Sequence, residues 1–419
     1  MESKKQQRLV HLLNELTEKS PVMPGPDIEG IPDGGQLVIP DACEDAFREL
    51  VEGFLREPGW SDRFSTPFIQ DELTKLIFNM KTVTADFSTY LDSFAARLSS
   101  YNSTQIVFLP VTGVRMELSE FRIGKIILRR ALQDDIAALV ARVSGIIQST
   151  DDSQGTKDRL ESEIREDLVP ILEKAGVYSE FSVAAEPIRA RERAEEETRK
   201  VLEVLRFANI RVSHHARLTN VGLQGEAEVT VRRTLIVAGD QQSMVWRLSA
   251  EGPLLPLELS ESMLDQMTRI GVIAVGDLLA KTDSELTDFE KSLLWSVHWF
   301  ADSLNQSAEE NRLLSLITSL EALINTGHGE PIRSSISEGA ALLIYSDLDH
   351  RLETKKHILH MYQRRSAISH GGKLEILETE LRRLETIAGE AISRLIQRRD
   401  EFRSRADLAN WLERKRLSD

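Results

Sequence analysis

The residues best equipped for chemistry fall in one segment, Met361 to Gly372, which reads MYQRRSAISHGG. Arg365 and His370 carry the side chains that metal-free RNA cleavage requires. A guanidinium can hold a scissile phosphate in a fork and offset the charge developing on it, while an imidazole takes the ribose 2′-hydroxyl proton or protonates the leaving oxygen. The surroundings favour an anion. Within Arg351–Lys373 six basic residues, Arg351, Lys355, Lys356, Arg364, Arg365 and Lys373, stand against one acidic residue, Glu353, a local net charge of +5. Spacing adds a constraint. Ile358 and Met361 precede Arg365 by seven and four residues and Ile368 follows it by three, so a helix places the guanidinium on its apolar stripe. A charge there is costly unless it is paired or used. At about 100° per residue, five residues leave Arg365 and His370 about 140° apart. They meet on one phosphate only if the helix ends near His370, where Gly371 and Gly372 follow, or if a second chain completes the site. Two assignments of Arg365 stay open: a phosphate-binding residue, or a buried cation paired with Glu321 or Glu338 beside an ordinary His370.

The remaining candidates read more plainly. His214 and His215 are adjacent between predicted strands and point to opposite faces, which suits a structural or surface role. His357 and His360 stand one helical turn apart, but no carboxylate of matching spacing completes a metal site. Trp295 and Trp299, with Phe289 and Phe300 nearby, could stack bases, yet an aromatic stripe at helical spacing is expected in the core. The sequence has no GxxxxGK[ST], GxGxxG, HExxH or G-x-S-x-G, so nucleotide hydrolysis, dehydrogenation, zinc proteolysis and α/β-hydrolase chemistry lack their usual signatures. One cysteine, Cys43, leaves no internal disulfide and no thiol-based metal site. No metal and no cofactor are expected.

The elements that must position these side chains predict an α+β fold, a mixed amino-terminal domain followed by an all-helical bundle. Residues 1–40 read as a helix over Ser3–Glu18 and a Pro/Gly-rich linker, and residues 41–255 as a mixed domain of sensing or regulatory role. In the latter, helices are expected over Asp41–Arg56, Pro67–Ser99, Asp134–Gln148 and Gly155–Ala175, and strands over Thr104–Pro110 and Phe121–Arg129. The charged run RARERAEEETRKVLEVL after Pro187 reads as the solvated face of a long helix laced with ion pairs, and Glu226–Ala238 with Ser243–Ser249 as a hairpin. Strand signals stop at Pro253 and Pro256, and residues 256–419 read as helical. Thr287 with Glu290 and Ser307 with Glu310 have capping-box spacing, Pro331 fits the start of a third helix, Asp349 caps a fourth, and a heptad-like seam from Leu374 to Leu395 marks a fifth.

Of 419 residues, 67 are acidic and 52 are lysine or arginine, a formal net charge of −15, with 41% hydrophobic and 28% charged residues. This is the composition of a folded chain, and the acidity argues against coating nucleic acid or an anionic membrane through bulk charge. Setting aside the +5 of Arg351–Lys373 leaves −20 on the remainder, so one small basic site stands on an acidic body. The first twenty residues have no apolar h-region and Ile270–Ala280 is interrupted by Asp277, so no membrane association and a cytoplasmic location are expected.

Three ordered segments, RLLSLITSLEALI (Arg312–Ile324), ISEGAALLIY (Ile336–Tyr345) and MYQRRSAISHGG, together resemble the Apea-like branch of the HEPN superfamily of helical domains. That branch shows a leucine–glutamate helix, an alanine-rich helix and a Tyr-x-x-Arg-Ser-x-x-x-His-Gly ending. Tyr362, Arg365, Ser366, His370 and Gly371 fill the ending without a gap, Leu320 and Glu321 match the first helix, and the likeness covers about Leu286 to Arg403. It implies a metal-independent endoribonuclease acting as a homodimer, with Arg365 and His370 catalytic, Ser366 and Tyr362 supporting, and Glu321 orienting the arginine. Arg364, Lys355, Lys356 and Lys373 are the expected RNA-binding cations of the same basic segment, Arg351–Lys373. Cleavage is expected to leave a 2′,3′-cyclic phosphate and a 5′-hydroxyl. Relatives of this kind recur in anti-phage defence, abortive infection and toxin-type systems, which implies a phage or host trigger protein as a further partner. The alternative is a non-catalytic bundle that dimerises or binds RNA or a protein.

Overall fold

Leu9, Leu12, Leu13 and Leu16 recur at helical spacing, and they form the inward face of α1 (Glu2–Lys19). The computed structural model describes residues 2–23, 36–82, 94, 96–98, 101, 104–149, 153–213, 219, 221–226, 230–237, 244–251, 255–324, 332–369 and 376–418. The fold is α+β. Contacts divide the chain into two compact units, one made of Met1–Val107 with Phe181–Ala194, the other of Phe108–Glu180 with Glu195–Asp419. The compositional break at residue 255 is therefore not a break in packing: strands before it and helices after it share the second unit.

In the first unit α1 packs with α2 (Glu44–Leu55) and α4 (Thr66–Thr82), with the single turn α3 (Trp60–Arg63) between the latter two. Leu12, Leu16, Leu50, Phe64, Ile69 and Leu73 are fully buried among them. Strands β1 (Val22–Met23) and β2 (Gln36–Leu37) pair antiparallel and bracket the Pro/Gly-rich linker, most of which lies outside the described residues. Glu186 is a buried carboxylate with a clear task. It accepts the Ile188 and Arg189 N–H groups, capping the helix that follows, and also the Ser65 N–H.

Five strands form one sheet in the order β5 (Glu120–Ile123), β6 (Ile126–Arg130), β7 (Val177–Ala184), β3 (Thr104–Thr112) and β8 (Gly222–Leu223), of which β5, β6 and β8 belong wholly to the second unit and β3 and β7 in part. The single strand expected over Phe121–Arg129 is corrected to the β5–β6 hairpin, which turns at Gly124 with φ 57°. A Cβ at Gly124 would also stand 2.8 Å from Leu279 Cβ. Strand signals do not stop at Pro256: β11 (Leu257–Leu259) pairs in parallel with β4 (Val114–Met116). Three residues are too few to show a period, and only tertiary pairing makes them a strand. β9 (Thr230–Val237) and β10 (Met244–Glu251) form the expected antiparallel hairpin.

Helices α5 (Gln133–Ser149), α6 (Gln154–Glu163) and α7 (Val169–Ala175) follow β6, with a π turn over Ile164–Leu168 between the last two. There the Val169 N–H reaches the Ile164 carbonyl, a wider turn directly before Pro170, which has no N–H to give. Helix α8 (Pro187–Val212) shows the expected ion pairs, Arg199 with Glu195 and Lys200 with Glu197, and buries Val201, Leu202, Leu205 and Phe207 on its other side.

The carboxyl-terminal helices are α9 (Glu261–Arg269), α10 (Val272–Ala280), α11 (Asp288–Asn305), α12 (Glu309–Ile324), α13 (Ile332–Ile344), α14 (Leu348–Ser369), α15 (Glu378–Gln397) and α16 (Arg405–Ser418). The Thr287–Glu290 capping box is present in both directions, at 3.2 and 2.8 Å. The cap of α14 is Asp347, whose Oδ1 accepts the His350 N–H at 2.9 Å, so the expected Asp349 lies two residues further on, within the first turn. Helices α11 and α12 approach closely across small residues: Ser296 Oγ donates to the Ser319 carbonyl and Ser319 Oγ to the Ser296 carbonyl. Helix α15 packs against α11, α12, α13 and α14, and its seam residues Leu381, Leu384, Ala388, Ala391 and Leu395 are buried there. The seam is internal packing, although Leu377, just before the helix, is 51% exposed and Leu374 lies outside the described residues.

Candidate functional site

Helix α14 carries the site because its apolar stripe fixes its rotation. Ile358, Met361 and Tyr362 are buried against the bundle, and one turn further the same stripe delivers Arg365. Arg365 Nη1 reaches Glu321 Oε1 on α12, and the Tyr362 hydroxyl donates to the same oxygen at 3.2 Å. Of the two carboxylates named by sequence, Glu321 rather than Glu338 is the partner. Its carboxylate receives two donors, which holds the guanidinium in a fixed direction. The Arg365 side chain stays 33% exposed and Glu321 22%, so the pair opens to solvent. Burial, with the adjacent Glu321 carboxylate next in weight, pushes the Tyr362 hydroxyl well above its ordinary range. Tyr362 is therefore a donor, not a base. Ser366, the next residue, is half-buried. His370 and Lys373 lie outside the described residues.

The basic character of α14 is matched by neighbouring helices. Arg364 Nη2 stands 3.3 Å from Glu380 of α15, and Lys355 and Arg416 share Glu338 of α13 at 3.3 and 3.1 Å. Lys356 is exposed, but nine residues of helix separate it from Arg365, about 180° around the axis. It lines an open depression of about 470 Å³ with Leu352, Lys355, Leu359, His360 and Gln363, on the side of α14 away from Arg365. Of the four cations expected to share one RNA surface, the three described do not converge: Lys355 and Arg364 hold carboxylates and Lys356 faces elsewhere, while Lys373 lies outside the described residues.

His357 and His360 both turn to Glu380, the first through Nε2 to its carbonyl at 3.1 Å, the second to its carboxylate at 3.0 Å. Burial, then the Arg383 charge, lowers the His357 pKa, so this ring is neutral. Burial raises the Glu380 carboxyl, but the Leu377 N–H, His360 and Arg364 outweigh it and hold the group below its usual range. Among the described residues no three His, Cys, Asp or Glu side chains gather as metal ligands. His214 and His215 are outside the described residues.

The core assignment of Trp295 is corrected. Phe289 and Phe300 are fully buried, whereas Trp295 is 56% exposed and Trp299 half-buried, because the buried stripe of α11 runs through Leu293, Val297 and Phe300. His298 stands edge-on to both indoles, at 5.4 and 5.2 Å between ring centres, and its Nδ1 meets Glu203 of α8 at 2.9 Å. The Glu203 hydrogen bond, against the effect of burial and with help from Asp302, raises the His298 pKa above its ordinary value. A raised folded-state pKa gives stability that is fully present below about pH 6.5, the unfolded value, and lost as pH rises through the folded one. His298→Gln is expected to lower the melting temperature at pH 5.5 and leave it unchanged at pH 9. With 37% of the imidazole exposed, the loss stays below about 1 kcal/mol. A deficit that does not vary with pH would contradict the assignment.

One residue of this region was invisible to spacing. Arg333, in the first turn of α13, is exposed, and with Arg365 its charge opposes the rise of the Tyr362 pKa. It lies outside the basic segment that drew attention in sequence. No family model, curated protein or solved structure matches the chain. Among the described residues, no helix is long and apolar enough to cross a membrane.

Proposed function

We propose that the chain is a metal-independent endoribonuclease of the Apea-like HEPN kind. Arg365 binds the scissile phosphate, and His370 moves the proton between the 2′-hydroxyl and the leaving oxygen. The supporting observation is the Tyr362–Glu321–Arg365 arrangement, in which Tyr362 steadies the carboxylate that orients the guanidinium, while a third of the arginine side chain stays in solvent. A purely structural counter-ion on an apolar stripe gains nothing from that exposure, while a phosphate ligand requires it. In this reading the bundle pairs with a second copy, the rest of the chain senses a phage or host trigger, and the protein acts in the cytoplasm in a defence or toxin-like role.

The test is incubation of the full chain with total RNA in EDTA, beside His370→Ala. Fragments ending in 2′,3′-cyclic phosphate and 5′-hydroxyl are expected from the parent, and loss of nearly all of them from the variant. Intact RNA, or equal cutting by both proteins, sinks the proposal. The pairing of Arg364, Lys355 and Arg365 with carboxylates favours a second reading, a non-catalytic scaffold that dimerises or binds RNA or a protein. That reading predicts RNA left whole by the parent.

A further inference from the structure

Arg365 alone is a weak holder of a phosphodiester. Glu321 occupies part of its fork and cancels its charge, and Tyr362 directs its hydroxyl to the same carboxylate. Arg365 with Glu321 sums to zero, so an arriving monoanion meets no net attraction from the pair. The rest of α14 does not supply the missing charge, since Lys355 and Arg364 hold Glu338 and Glu380 and Lys356 faces the opposite side.

Helix α13 does. It joins α14 through a short connection and runs antiparallel beside it, and the 3.3 Å Glu338–Lys355 ion pair sets the level at which the two helices match. Counting five residues back along α13 reaches Arg333, and counting seven forward along α14 reaches Tyr362. At about 1.5 Å per residue both steps run the same way, by about 7.5 and 10.5 Å, so Arg333 stands level with Tyr362 to within one turn. The electrostatics agree, because the Arg333 charge is felt at the Tyr362 hydroxyl. The side chain is exposed, and among the described residues no carboxylate pairs with it.

We infer that Arg333 is a second phosphate-binding residue of the Arg365 site, giving it the net positive charge with which it takes a phosphodiester of single-stranded RNA. The inference rests on the ribonuclease reading above. Two guanidiniums from different helices against one carboxylate leave +1 where the substrate carries −1. They also grip the backbone at two points, which orders the phosphate relative to Arg365.

The test uses the full chain and a fluorescent single-stranded RNA oligonucleotide with 2′-O-methyl riboses, which lacks the attacking hydroxyl. Affinity is measured by anisotropy between 50 and 200 mM salt. Arg333→Gln is expected to weaken binding about fivefold to tenfold and to reduce the salt slope by about 0.7, the share of one phosphate contact on a single strand. Arg333→Lys recovers part of the affinity, and on RNA with free 2′-hydroxyls Arg333→Gln raises KM more than it lowers kcat. Because the side chain is exposed, the melting temperature stays at the parent's value. If the parent binds and cuts while Arg333→Gln matches it in affinity and slope, the Arg333 assignment falls and the ribonuclease reading stands. If the parent neither binds nor cuts, the ribonuclease reading falls and Arg333 with it.

Discussion

Arg365→Ala is expected to lower RNA cleavage by about two to three orders of magnitude, the usual consequence of removing one preorganised donor from a developing anionic charge. Its effect on folding is small by comparison. Glu321 keeps the Tyr362 hydroxyl and is open to water, so the cost in stability is about 1 kcal/mol. Arg365→Lys separates charge from geometry. A lysine ammonium is a point charge that cannot hold a carboxylate and a phosphate together in a planar fork, so it is expected to restore less than about a tenth of the activity. Initial rates in EDTA, with melting temperatures measured in parallel, check both variants. An alanine variant within threefold of the parent would remove Arg365 from the chemistry and leave its pairing with Glu321 as a structural contact.

Gly339→Val is expected to produce the largest loss of stability of any single change considered. A Cβ at this position would lie 2.6 Å from Ile324 Cγ2 and 3.3 Å from Leu412 Cδ1, where α13 passes between α12 and α16. Ile324 is fully buried and β-branched, so it cannot swing aside without moving α12. Overpacking of this kind costs about 3 kcal/mol, more than the helix propensity gained by losing a glycine, which is at most about 1 kcal/mol. Gly339→Ala balances the same terms and should lose less. Urea unfolding of parent and both variants reads the series directly, and a valine variant as stable as the parent would show that α12 and α16 can separate freely. Since α13 also carries Arg333 and Glu338, a partly folded valine variant should lose RNA binding together with stability.

Much of the helical framework was legible in sequence, and for one reason. Capping boxes, apolar stripes and i,i+4 ion pairs are contacts among residues a few places apart, so Thr287 with Glu290 or Arg199 with Glu195 could be read as spacings. Failures fall where a neighbour in space decides. β11 is a strand because β4 lies beside it. Trp295 is exposed because, among the described residues, no element covers that side of α11, and both indoles had the same spacing evidence. Asp347 and Asp349 are equally good capping residues, and only the point at which the backbone turns into α14 selects the first.

The candidate site divides in the same way. The sequence by itself determined that Arg365 sits on the buried stripe of a helix, because a 3.6-residue repeat needs no knowledge of the partner. It also determined that this helix is locally basic within an acidic chain. Only the tertiary structure decided that Glu321, 44 residues away, holds the guanidinium, that Glu338 and Glu380 neutralise Lys355 and Arg364, and that Arg333 brings charge from another helix. The reason is that backbone hydrogen bonding fixes periodicity within one turn. The partner of a charge is set instead by which helices the burial of apolar faces brings together, and that choice is made across the whole chain.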